Sequence, residues 1–162
     1  MMKMSYFLNK GMVMKNVWVV VANASRAFFY ASSKADPDLQ LIKKLYHPES
    51  KLKETELGSD QPGHNQKGSY EPHTSAKELE KEHFVKELCQ ELEHGRVSNA
   101  YTAIVLIAEP HFYGLIHRLA PHQVQKLIHN HFAKDYAHFS EHDLETTLKD
   151  LLADTLKSLF YK

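Results

Sequence analysis

Groups that could act together in catalysis are thinly scattered along this 162-residue chain. Ser59, Asp60 and His64 bring a hydroxyl, a carboxylate and an imidazole close together in sequence, the raw material of an activated nucleophile. No Gly-x-Ser-x-Gly elbow presents the serine, so the spacing fixes no hydrolytic geometry. Glu109 and Asp143 are two acids of the kind a two-metal phosphodiesterase needs, but that chemistry takes further carboxylates around the metals. The strand where one of them would stand, 16–22, contains no acid, and Asn23 follows it. The chain holds 12 histidines. His129 and His131, two apart, are expected to share one strand face. His138 and His142 are four apart but are separated by a helix cap at Ser140. Zinc requires three or four ligands, and spacing supplies no third. The histidines therefore read as surface groups whose charge responds to acidification, and no metal or cofactor is expected. The single cysteine, Cys89, cannot form an internal disulfide and reads as a buried, inert thiol.

The most suggestive residues are polar rather than catalytic. Asp60, Gln61, Gly63, His64, Asn65, Gln66 and Lys67 form a run rich in hydrogen-bond donors and acceptors. Such groups suit phosphate and ribose, with Lys67 supplying the charge, and Arg96 and Arg118 could extend the same surface. The run lies where periodicity disappears, between His47 and Thr74, among Pro48, Gly58, Pro62, Gly63, Gly68 and Pro72. A loop that long inside a compact domain is usually functional or disordered. We read 58–74 as a candidate binding loop.

Around it the elements can be predicted. Asn16 to Ala22 is a β-branched run that suits a central strand covered on both faces. Arg26 to Ser32 follows after a three-residue link, so the two form a hairpin. Leu39 to Tyr46 is a third strand, with Leu39, Leu41 and Lys43 expected on one face. Ser75 to Gly95 reads as a helix capped by Thr74 or Ser75 and stopped by Gly95. Its buried stripe is expected to be Leu79, Val85, Leu88, Cys89 and Leu92. Ala103 to Ala108 is another buried strand. Pro110 opens a helix that Pro121 ends. A short helical turn and a strand near 127–133 come next. Ser140 then caps a final helix lined by Leu144, Leu148, Leu151, Leu152, Thr155 and Leu159.

Strand, strand, strand, helix, strand, helix, strand, helix is the order of an α/β domain. Its crossovers are right-handed and parallel to the first strand. The expected fold is a ribonuclease H-like mixed five-stranded sheet with helices on both faces. One domain over 16–162 suits the length, preceded by a disordered tail over 1–15. Formal net charge is zero, so bulk charge supports no general nucleic-acid surface. No stretch has the run of roughly 18 to 20 apolar residues that spans a bilayer. Met1 to Lys15 has no signal-peptide pattern. A cytoplasmic location without a membrane partner is therefore expected.

The motifs, taken in order, resemble a known bacterial family. They are 17–22 followed by Asn-Ala-Ser-Arg-Ala, His-Pro-Glu-Ser-Lys at 47–51, and Leu-Gly-Ser-Asp-Gln-Pro-Gly at 57–63. Pro72-His73, Glu82-His83-Phe84, Ala-Glu-Pro-His-Phe-Tyr-Gly-Leu at 108–115 and Lys-Asp-Tyr-Ala-His at 134–138 follow. Together they resemble the family described as "protein required for attachment to host cells" over roughly 16–152. The resemblance implies an interaction protein and brings no catalytic residues. The family is similar in fold to the middle domain of archaeal and eukaryotic class-1 peptide-release factors. In that domain a loop before the long helix carries Gly-Gly-Gln into the peptidyl-transferase centre. Here the loop reads Gly63-His64-Asn65-Gln66-Lys67-Gly68, without that tripeptide, so peptidyl-tRNA hydrolysis is not implied. What the likeness implies is docking on the ribosome or tRNA. A hydrolase using the same loop, and a module that binds only protein partners, are the alternatives.

Overall fold

The structure is a computed structural model and describes residues 15–47 and 75–161. Five strands, β1 (Asn16–Ala22), β2 (Arg26–Ser33), β3 (Gln40–Tyr46), β4 (Ala103–Ile107) and β5 (Ile128–Phe132), form one mixed sheet. The helices are α1 (Ala76–Val97), α2 (Pro110–Leu119), the single turn α3 (His122–Gln125) and α4 (Glu141–Phe160). The strand order is β3-β2-β1-β4-β5. β1 pairs antiparallel with β2 and parallel with β4, which is parallel to β5. The expected five-stranded α/β fold is therefore observed, with the Val-rich β1 at its centre.

Alternation across β1 divides the core. Trp18, Val20 and Ala22 face α1 and α2, where they pack with Leu88, Leu92, Phe112 and Ile116. Val17, Val19 and Val21 face α4 and pack with Leu144, Leu148 and Leu152. A fully buried side chain of this kind contributes about 1.5–3 kcal/mol, so both helix layers are tied to the central strand. Cys89 is buried in the α1 layer beside the Ile116 carbonyl. Burial pushes its thiol up to about 12, which keeps it protonated and matches the inert reading. In the α4 layer the hydroxyl of fully buried Tyr30 has no hydrogen-bond partner among the described residues. Burial, then the nearby Glu145 and Glu141 carboxylates, pushes it up to about 12.

Four expectations change. Leu79 does not belong to the buried stripe of α1; it is 48% exposed in the first turn, before the helix reaches the sheet. Gly95 does not stop α1. The helix runs to Val97, and Asn99 just beyond it adopts the left-handed φ of 59°. Gly95 serves close packing instead: a Cβ there would lie 2.5 Å from Trp18 Cη2 and 2.8 Å from Tyr101. Lys43 does not share a face with Leu41. The register of β2 with β3 shifts between Phe29 and Tyr30, so Ile42 is passed over. Lys43 then turns towards α1 and meets Glu91 at 3.4 Å, while Leu39 and Leu41 pack in the α4 layer. A second shift, opposite Ile104 and Val105, passes over His129. The simple alternation expected of His129 and His131 is broken there, because an extra residue inverts every later facing. In α4 the inner stripe also continues through Leu156 and Phe160, and Thr155 is only half-buried.

Candidate functional site

β1, β3, β4 and β5 run the same way, so their carboxyl ends share one edge of the sheet. In open α/β sheets, ligands gather outside that edge. The crossover helices α1 and α2 must start there to return, and α4, which follows β5, starts there too. Each start is satisfied by its own side chain. Ser75 Oγ accepts from Glu78 N at 3.1 Å. Glu109 Oε1 accepts from His111 N at 3.2 Å. Ser140 Oγ accepts from Asp143 N at 3.1 Å. Glu109 and Asp143, the two acids weighed for metal chemistry, are thus parts of helix starts. Asn23 ends β1 with Oδ1 accepting from Ser25 N and Arg26 N at 2.9 and 3.0 Å, which closes the β1–β2 turn. Among the described residues no three or more His, Cys, Asp and Glu come together as metal ligands.

The edge is also where residues 48–74 leave and rejoin the described structure. His47 follows β3. Its backbone N donates to Ser25 O at 2.7 Å, and its ring lies 5.2 Å from Phe84. His47 Nε2 meets Glu80 Oε1 at 3.0 Å, with the imidazole largely buried. One end of the segment is therefore bound to the second turn of α1, shortly after the other end has entered that helix. Lys44 adds a contact across the other face, to Glu141 at the start of α4, and that hydrogen bond raises the lysine's pKa. These pairings escaped the sequence reading because they join residues far apart in the chain. The one local signal is Glu80 four residues before Phe84, which puts both on one side of α1.

Asp60, Gln61, Gly63, His64, Asn65, Gln66 and Lys67 all lie outside the described residues. So does Thr74, the alternative cap. The two arginines expected to extend the loop's surface stand apart from each other. Arg96 is 21 positions beyond Ser75, about 30 Å along the helix at 1.5 Å per residue. It is held by Glu93 through bonds of 3.0 and 2.8 Å, which hold the Glu93 carboxyl below its ordinary range. Arg118 lies nearer, 61% exposed, and meets Glu82 of α1 at 3.3 Å.

His131 turns towards α2. Its ring stacks on Tyr113 with centroids 3.7 Å apart and planes 12° apart. Its Nε2 lies 2.9 Å from the Ala108 carbonyl, which only a protonated nitrogen can satisfy. His117 lies 5.7 Å from the same Tyr113 ring. His138 meets Asp135 at 3.8 Å, and Ser140 caps α4 between His138 and His142.

A family model described as "Protein required for attachment to host cells" matches residues 18–148. No curated protein matches the chain. Among solved structures, 21 chains match. One, described only as an archaeal protein, is 10% identical with a TM-score of 0.43. The match covers 89% of this chain and 39% of that one, so this chain spans well under half of its length.

Proposed function

The chain belongs to the family of proteins required for attachment to host cells, and on that premise we propose that it is a non-enzymatic interaction protein that contacts RNA or the ribosome through residues 58–74. The observation that carries this reading is the fixing of His47 to Glu80 at the carboxyl edge of the sheet. It sets the departure of the 48–74 segment beside α1, at the edge where α/β domains hold their ligands. Within the segment, Gln61, His64, Asn65 and Gln66 supply hydrogen-bonding groups and Lys67 a positive charge, the types that meet phosphate and ribose. The resemblance to the release-factor middle domain supports the ribosome as partner.

Co-sedimentation of the full chain with purified ribosomes tests this. Binding is expected at low salt and should fall as salt rises, because phosphate contacts release counterions. Lys67→Glu should weaken it at every salt concentration. Recovery of protein partners without any RNA would replace the reading with a protein-docking one. Hydrolysis of ester or nucleic-acid substrates that depends on His64 would replace it with a hydrolase.

A further inference from the structure

At the opposite edge of the sheet, the β2–β3 turn and the last three turns of α4 enclose a pocket of about 280 Å³. Leu39, Leu156 and Phe160 give it an apolar lining, the latter two from buried positions. Tyr161 stands at its mouth, 67% exposed, with Lys34 Nζ 4.8 Å from the ring centroid. Lys149, Ala153 and Lys157 also line it. They are four residues apart along α4 and so form one stripe, two ammonium groups flanking a methyl. Among the described residues neither lysine's side chain has a hydrogen bond or ion pair. The end of a helix attracts cations, and this accounts for Lys157 in the last turn of α4. That attraction fades within one turn, so it does not account for Lys149. Among the described residues Asp38 is the one acid in the lining; it disfavours a ligand with a second negative charge.

We propose that this pocket binds a small amphipathic monoanion, a carboxylate on an apolar body, taken free from solution. The apolar body would lie on Leu39, Leu156 and Phe160, and the carboxylate between Lys149 and Lys157. The volume lies just below the roughly 300–1,000 Å³ typical of ligand pockets, which limits the body to a small one. A concave site of this size fits a free molecule better than the face of a bilayer.

Octanoate titrated into the full chain, followed by amide ¹H–¹⁵N shifts, tests the assignment. The expected result is saturable shifts confined to residues 37–39 and 149–161. Binding of 1-octanol and of acetate should each be weaker by about tenfold or more. Ala153→Phe, at an exposed helix position, should fill the pocket and remove the shifts while leaving the unfolding midpoint unchanged. Lys149→Glu, which leaves the lining's shape alone, should weaken octanoate by about tenfold. The proposal is overturned if octanol or acetate binds as well as octanoate, or if Lys149→Glu binds normally. It is also overturned if no saturation appears by about 1 mM, or if it appears only with phosphatidylglycerol vesicles present.

Discussion

Two helical glycines face opposite surroundings. Gly95 is pressed against Trp18 and Tyr101, whereas a Cβ at Gly114 would meet nothing within 4 Å. Gly95→Ala should destabilise the fold, because overpacking a core costs about 1–3 kcal/mol against a helix-propensity gain of about 1 kcal/mol. Gly114→Ala has only the gain, about 0.5–1 kcal/mol. Urea unfolding of the two variants should therefore shift in opposite directions, and a shared direction would refute the packing argument. Tyr30 gives a second test. Its hydroxyl is buried without a partner among the described residues, and such a group carries a desolvation cost of about 1–3 kcal/mol. Tyr30→Phe should leave the unfolding midpoint unchanged or raise it; a clear loss would reveal a hydrogen bond that the described residues do not show. Composition disclosed neither point. A glycine late in a helix reads as a stop until the ring it packs against is known, and a tyrosine in a strand says nothing of where its oxygen ends.

The three long helices α1, α2 and α4 each begin on a side-chain cap, and α4 shows the dependence most plainly. Ser140→Ala removes the acceptor for Asp143 N and should cost about 1 kcal/mol. Circular dichroism during denaturant unfolding would register the loss, and Ser140→Asp should restore most of it. The elements themselves were legible, since β-branched runs, prolines and caps mark their ends locally. The two register shifts, at Ile42 and His129, were not. Alternation in a sequence assumes unbroken pairing, and only the neighbouring strand determines where a residue is passed over. For that reason the alternation that puts Lys43 with Leu41, and His131 with His129, fails at both outer strands. The seven residues of the candidate loop lie outside the described residues, so their chemistry stands as a proposal.

The whole molecule responds to pH through what it buries. Cys89 ordinarily ionises near 9.0 and Tyr30 near 10.0, and burial pushes both up to about 12. The unfolded chain releases these protons first, so it binds fewer than the native state above pH 9. Stability is then complete below pH 9 and falls as pH rises towards 12, by up to about 1.4 kcal/mol per unit for each group that has titrated only in the unfolded chain. Unfolding free energies measured from pH 8 to 11 should decline over that range; a flat profile would contradict the burial of both groups. Tyr101 is shifted in the same direction and adds to the slope. The arrangement at the carboxyl edge bears on how such a chain can diversify. Because His47 is tied to Glu80 beside the point where α1 starts, the stretch between them closes on ends already brought together. Doubling its length would add only about 0.6 kcal/mol of closure entropy. Substitutions and insertions between those two anchored ends need not disturb strand pairing, so the frame tolerates change there.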